Sequence, residues 1–191
     1  GARDAFRLVL SALRRQIHDR PLRIAVENPG YPSLHKIPAT FGHEIMPIPV
    51  DEHGLNPAFL PCENGPDVVL VAPSHQYPLG ASMPVGRRLE LLNWAADNNA
   101  FIVEDDYDSE LRYGGDPLPA LAALARSGAD ESTEQGAEAN RLDRVMTLGS
   151  FAKTVSPGLG LGFLVAPASL KSALWDLRAD LGSPVSAVVQ D

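Results

Sequence analysis

Lys153 is placed where a lysine could act as a nucleophile. It lies in a loop of small residues directly after a predicted strand over 144–148. A lysine near a buried site can be desolvated, which lowers its pKa and allows its amine to form a Schiff base. Taken alone, Lys153 is nevertheless better explained as a surface residue of a loop.

Two carboxylates, Asp105 and Asp106, follow the end of a different strand, which is predicted over 100–103. An aspartate there could keep a pyridinium nitrogen protonated, so that a bound cofactor acts as an electron sink. The simpler alternative is a helix cap or a solvated turn. Tyr107, the next residue, could donate a hydrogen bond to a phenolic oxygen or could only pack.

The elements that must position these residues are predicted from apolar periodicity. An amphipathic helix is expected over 2–18, and further helices over 84–98 and 168–181. Strands are expected over 22–26, 45–50, 67–72, 100–103, 144–148 and 161–166. The alternation predicts a three-layer α/β domain with a mostly parallel central sheet flanked by helices. Polar loops at 73–80, 104–113 and 149–158 then meet beyond the carboxyl ends of the strands, where such sheets bind ligands.

Composition excludes several classes of protein. The chain has 191 residues, 45% of them hydrophobic, and a net charge of −8. An acidic chain is a poor DNA-binding surface by itself. One cysteine excludes a disulfide framework and a cysteine-based zinc site, and the histidines lack metal-binding spacing. No signal peptide or membrane-spanning segment is recognised, so we expect a cytoplasmic protein with no membrane partner.

Several motifs together resemble one family. They are Glu27-Asn-Pro-Gly-Tyr-Pro32, the segment 49–55, Ser74-His-Gln-Tyr-Pro78, the segment 104–113 and Ser150-Phe-Ala-Lys153. In this order they resemble the aminotransferase-like domain of MocR-type GntR transcriptional regulators. That domain belongs to the fold type I, pyridoxal 5′-phosphate (PLP)-dependent aspartate aminotransferase superfamily. The resemblance extends over about residues 1–185; residues 186–191 would begin the following segment, and 127–140 would be a disordered insertion.

The resemblance implies roles around the ring of PLP. Lys153 would form the internal aldimine, and Asp105 would pair with the pyridine nitrogen. Tyr107 would donate a hydrogen bond to the phenolic oxygen, and Tyr77 occupies the position of an asparagine that lies near that oxygen in the enzymes. Tyr31 would stack on the ring.

The phosphate site implied by the resemblance departs from the family pattern. Ser150 and the backbone N–H groups of Ala2 and Arg3 would bind the phosphate. The family has an arginine seven residues after the lysine, where this chain has Gly160, so a bidentate clamp is missing. We predict that the side chain of Arg3 supplies the missing charge.

The resemblance implies a sensor domain for PLP or an amino-containing ligand, in which an incoming amine displaces Lys153 from the cofactor. We expect a homodimer and a fragment of a longer regulator, in which an N-terminal winged helix-turn-helix absent from this sequence binds DNA. Two alternatives stay open. One is an aminotransferase that acts on an amino acid, and the other is a degenerate domain that binds no cofactor.

Overall fold

The sheet is the frame of the molecule. The computed structural model describes residues 1–17, 20–108, 118–127, 141 and 143–182. The strands of this part of the chain are β1 (Arg23–Asn28), β2 (Glu44–Asp51), β3 (Gly54–Leu55), β4 (Val68–Val71), β5 (Phe101–Asp106), β6 (Val145–Ser150) and β7 (Gly162–Val165). They form one sheet in the order β3-β2-β1-β4-β5-β6-β7. All neighbours from β2 to β6 pair in parallel, whereas β3 and β7 pair antiparallel at the edges. The predicted mostly parallel sheet is confirmed.

Helices cover both faces of the sheet. They are α1 (Ala2–Gln16), α2 (Pro32–His35), α3 (Ile37–Thr40), α4 (Val85–Asp97), α5 (Leu121–Ser127) and α6 (Lys171–Leu181). On one face, Phe6 and Leu10 of α1 and Leu174 of α6 belong to one apolar cluster. On the other face, Leu91 of α4 and Leu121 of α5 belong to a second cluster. The predicted three layers are therefore present, and α1 directs its first turn toward the loop at the end of β6.

Two strands differ from the prediction, β5 in where it ends and β2 in its place in the sheet. β5 is predicted to end at Val103 but continues to Asp106, because its ladder with β6 pairs Asp105 with Leu148 and Asp106 with Gly149. The carboxylates therefore lie within the strand rather than in a loop after it. β2 is expected at an edge or irregular because proline cannot donate to a ladder. It lies next to the edge, with only its last two residues paired to β3.

An apolar groove of about 880 Å³ lies between α1, β7 and α6. Phe163 and Trp175 line it and are 44% and 65% exposed. The side of α6 that carries Trp175 faces this open groove.

Some predictions fall outside the described residues. These are the loop residues 109–113, residues 186–191, and residues 128–140 of the insertion predicted over 127–140. Ser127, the first residue of that predicted insertion, is instead the last residue of α5. Within the described part of the chain, no helix is long and apolar enough to cross a membrane. No group of three or more His, Cys, Asp or Glu side chains there is arranged to hold a metal ion.

Candidate functional site

A cavity of about 510 Å³ opens at the carboxyl edge of the sheet. Its walls come from the first turn of α1, the loops after β1, β4 and β6, and the end of β5. It brings together the eight residues singled out in the sequence: Ala2, Arg3, Tyr31, Tyr77, Asp105, Tyr107, Ser150 and Lys153. Parallel pairing explains this convergence, since it directs the carboxyl ends of β1, β4, β5 and β6 to the same edge.

Asp105 is the buried acid of this cavity. Its side chain lies near the end of β5 and is 7% exposed. Burial, together with the negative charges of Asp106 and Asp108, raises the pKa of Asp105 to about 7. A buried carboxyl group that is costly to ionise would be stabilised by a cation or hydrogen-bond donor placed in the cavity. Such groups are frequent at binding sites.

Tyr107 is held against the loop that follows β4. Its hydroxyl donates a hydrogen bond of 2.9 Å to the backbone carbonyl of His75, and the two rings stack with centroids 6.3 Å apart. Nδ1 of His75 lies 2.6 Å from Oδ2 of Asp108. Burial, and then the charge of Asp108, raise the pKa of Tyr107 well above its ordinary value. The phenol is therefore a protonated hydrogen-bond donor.

Tyr31 and Tyr77 form an aromatic wall of the cavity. Their rings meet edge to face with centroids 5.4 Å apart, and each side chain is 44% exposed. Buried Gln76 joins their loops, because its Nε2 donates to the carbonyls of Pro29 at 2.7 Å and Tyr77 at 2.6 Å. The aromatic wall is thus fixed by a buried amide that the sequence motifs contain but whose role periodicity could not predict.

Ser150 is the last residue of β6, and Lys153 lies in the turn that follows. Oγ of Ser150 accepts a hydrogen bond of 3.2 Å from the N–H of Ala152, which shapes the turn. Lys153 lines the cavity, but its side chain is exposed. The desolvation considered for Lys153 from the sequence is therefore not provided by the described residues. The position of Lys153 at the cavity supports a chemical role for its amine, whereas the exposure of its side chain gives no such support.

The first turn of α1 lies beside Gly160. A Cβ atom built on Gly1 would lie 3.0 Å from the carbonyl oxygen of Gly160. Gly160 itself has φ +61°, and a Cβ there would meet open space. Arg3, in the first turn of α1, is exposed. Arg3 and Lys153 are the basic side chains among the described residues that line the cavity.

Sequence reasoning missed two buried residues with ionisable side chains, Glu27 and Arg88. Glu27 of β1 is 3% exposed, and its Oε2 accepts a hydrogen bond of 3.3 Å from the N–H of Ala72. Arg88 of α4 is fully buried and donates to the backbone carbonyls of Pro73, Met83 and Pro119. Glu27 was available as a signal, since it is a charged residue that follows an apolar strand pattern within a recognised motif.

Comparison with known proteins adds family information to this geometry. No family model matches the chain. It is 44% identical over 190 residues, its whole length, to the HTH-type pyridoxine biosynthesis transcriptional regulator PdxR of Corynebacterium glutamicum, of which it covers 37%. It is 34% identical over 95% of its length to the probable rhizopine catabolism regulatory protein MocR of Rhizobium meliloti, covering 34% of that protein. The chain thus spans about a third of the length of these relatives.

The fold also matches solved enzymes. LysN, an α-aminoadipate aminotransferase from Thermus thermophilus in complex with N-(5′-phosphopyridoxyl)-L-leucine, superposes with a TM-score of 0.72 and 29% identity. The match covers 93% of this chain and 44% of the enzyme. The mostly parallel sheet, the helices on both of its faces and the match to LysN define the class of the domain. It is an α/β domain of fold type I, as in the PLP-dependent aminotransferases. Within that class, the chain belongs with the aminotransferase-like domains of MocR-type transcriptional regulators.

Proposed function

We propose that this chain is the PLP-binding, effector-sensing domain of a MocR/GntR-type transcriptional regulator. The observation that carries the proposal is that buried Asp105, Lys153 and the first turn of α1 line one cavity. Similarity to PdxR and MocR supports the regulatory part. The DNA-binding winged helix-turn-helix would lie in a part of the regulator outside this sequence, and the regulator would act in the cytoplasm as a homodimer.

The residues of the cavity fit PLP chemically. Its roughly 510 Å³ lies within the usual size range of small-molecule sites, about 300–1,000 Å³. Asp105 is a buried carboxyl group whose ionisation would be favoured by a protonated ring nitrogen. Tyr107 has one O–H, which donates to the carbonyl of His75 and would have to turn from it to reach a phenolate oxygen. Ser150 and the N–H groups of Ala2 and Arg3 would bind the phosphate.

Bound PLP supplies an aldehyde that condenses with amines and a ring that withdraws electrons. Lys153 would provide the amine that bonds this aldehyde, and an amino-containing effector would compete with it. PLP itself is the second candidate effector. Tyr31 and Tyr77 would confine the ring, and Asp105 would hold the proton on its nitrogen. Loss of the covalent tether at Lys153 would then shift an equilibrium between two states of the regulator.

A visible absorption titration with PLP tests the cofactor and the lysine together. We expect a new band on addition of PLP and, after borohydride reduction, a stable adduct on the peptide that contains Lys153. Lys153→Ala should abolish both. Lys171→Ala is the matched control, because Lys171 lies on α6 at the other groove and should change neither. No band at saturating PLP would refute the proposal and favour a degenerate domain.

An aminotransferase remains the second candidate, supported by the structural match to LysN. The PLP-loaded chain would then release an oxo acid from an added amino acid, with Lys153 moving the proton. A sensor would change its absorption band with an amine without releasing an oxo acid. Assay of oxo acid after a single addition of amino acids separates the two functions.

A further inference from the structure

The apolar groove between α1, β7 and α6 takes no part in the proposed function. One side of α6 lines it with residues that recur every three or four positions, namely Lys171, Trp175, Arg178 and Leu181. Phe163 of β7 also lines the groove, and the side chains of Phe163, Trp175 and Leu181 are exposed. A contiguous apolar surface of this kind is typical of an interaction site.

The helix α6 ends at the groove itself. Gly182 follows its last residue with φ +69°, the left-handed backbone that ends many helices, and it also lines the groove. The next two residues, Ser183 and Pro184, are types preferred at the N-cap and at the first position of a helix. Apolar side chains then recur at the spacing of one helical face, at Val185, Val188 and Val189. The sequence therefore predicts a helix that begins at Pro184, directly after a short connection to α6.

So short a connection limits where that helix can pack. Two helices joined by about 2–5 residues form an antiparallel hairpin and lie side by side. Leu177 of α6 is already buried in the apolar cluster over the sheet, whereas Trp175 lines the groove. The side of α6 that remains open to a neighbouring helix is therefore the groove side. Residues 183–190 contain no charged side chain, which suits the apolar walls of the groove.

The groove is connected to the turn that carries Lys153 through Phe163. The ring of Phe163 occupies the space that a Cβ atom on Gly149 would need, and its centroid lies 5.8 Å from that of the Phe151 ring. The N–H of Phe151 donates a hydrogen bond of 3.1 Å to the carbonyl of Leu161. Support for Phe163 from the groove side is therefore also support for the turn that begins at Phe151.

We propose that residues 184–190 pack as a helix in the groove, with their valines against Trp175 and Phe163, and that this packing holds the turn that carries Lys153. The occupant is a segment of this chain, because it leaves the rim of the groove directly and binds at a high effective concentration. The position of Lys153 would then depend on a surface outside the cofactor cavity. That consequence for PLP rests on the proposed function, whereas the packing itself does not.

Thiol labelling of the full chain tests the packing. A Cys62→Ser background removes the single, exposed cysteine. In that background, the thiol of Val188→Cys should react with an aromatic disulfide reagent at least about tenfold more slowly than that of Ala187→Cys, because a packed thiol reacts only when the segment opens. Ala187 is the matched control, since it is adjacent to Val188 in the sequence but lies on the opposite side of the predicted helix. In urea, the two thiols should react at equal rates.

Val188→Asp tests the effect on the two walls of the groove. In a Trp94→Phe background, Trp175 is the one tryptophan left, and its emission should shift to longer wavelength when the aspartate disrupts the packing. Amide hydrogen exchange of residues 151–155 should become faster in the same variant, because the turn loses the support of the groove side. Ala187→Asp adds the same charge and should change neither quantity.

Equal labelling of Val188→Cys and Ala187→Cys in the folded chain would overturn the packing. Protection of Val188→Cys that is lost on dilution, as a dimer dissociates, would place a second copy in the groove and would overturn it too. Protection without faster exchange in Val188→Asp would overturn the link to Lys153. If Val188→Asp fails to fold, exchange of residues 151–155 in Val188→Ala decides the same point. None of these measurements contains PLP, so failure of the chain to bind PLP leaves them interpretable.

Discussion

The hydroxyl of Tyr107 donates a 2.9 Å hydrogen bond to the backbone carbonyl of His75 and so joins the end of β5 to the loop after β4. A second contact joins the same two segments through the side chain of His75, whose Nδ1 lies 2.6 Å from Oδ2 of Asp108. Tyr77 belongs to the same loop, two residues after His75, and lines the cavity. The position of Tyr107 is therefore linked to the loop that carries Tyr77.

Replacing Tyr107 by phenylalanine tests this connection. Loss of one hydrogen bond should lower the free energy of unfolding by about 1 kcal/mol, measured by urea denaturation. In the PLP-loaded chain, the visible band should also shift, because the proposed donor to the phenolic oxygen is gone. Tyr77→Phe is the control for stability and should cost less than about 0.5 kcal/mol. Equal destabilisation by both changes would contradict the assigned contact.

Arg3 is predicted to replace the arginine that the family has at the position of Gly160. Arg3→Ala should weaken PLP binding by about 10- to 100-fold, as expected for loss of a charge-assisted contact worth about 1.5–3 kcal/mol. Arg7→Ala is matched, because Arg7 lies on the same helix but pairs with Asp4 at 3.1 Å and lines the other groove. Equilibrium titration of all three chains measures the effect. An Arg3→Ala affinity equal to that of the wild type would exclude this role.

Gly162 permits close approach of the chain to the first turn of α1. A Cβ there would lie 2.5 Å from the carbonyl oxygen of Gly149 and 3.1 Å from the backbone nitrogen of Ala2. Gly162→Ala should therefore cost about 1–3 kcal/mol of stability and also weaken PLP binding by moving α1. Gly86→Ala, in α4 with open space around its Cβ, should instead stabilise by about 0.5–1 kcal/mol. Thermal unfolding of the two variants should show shifts of opposite sign.

Arg88 organises three segments of backbone from inside the domain. It donates to the carbonyls of Pro73 at 2.8 Å, Met83 at 2.9 Å and Pro119 at 3.1 Å. Arg88→Ala leaves these buried acceptors without their donor and should cost about 3 kcal/mol or more in urea denaturation. Arg87→Ala removes a more accessible ion pair with Asp51 and should cost about 1 kcal/mol. A smaller loss at Arg88 than at Arg87 would show that water replaces the buried donor.

Asp67 should make stability depend on acid pH. Burial would raise its pKa, but hydrogen bonds from Arg20, both at 2.7 Å, and from the N–H of Arg23 outweigh burial and lower it. A lowered folded pKa means that the stabilisation is complete above the unfolded value, about 4, and is lost as the pH falls through the folded value. Asp67→Asn should cost about 2 kcal/mol at pH 7. The difference from the wild type, followed by urea denaturation, should shrink steadily below about pH 4; a constant difference would refute this account.

Local sequence patterns were sufficient for the order of elements and for the edge of the sheet at which the candidate residues meet. Apolar runs bounded by turn residues predicted the strands, because a strand buried on both faces must be continuously apolar. Polar residues after those runs predicted the site, because parallel strands end at one edge. The end of β5 was predicted too early, since pairing with β6 can extend a strand through carboxylates that sequence periodicity counts as loop.

The sequence by itself determined the class of the domain, and its resemblance to a family singled out residues that line the cavity. Only the tertiary structure decided which polar groups are buried. Glu27 meets Ala72, 45 positions away, and Arg88 meets Pro119, 31 positions away. The exposure of Lys153 and of Trp175 was likewise decided by which surfaces the other elements cover. Burial and pKa depend on neighbours in space, and a linear pattern contains those neighbours only when they are also close along the chain.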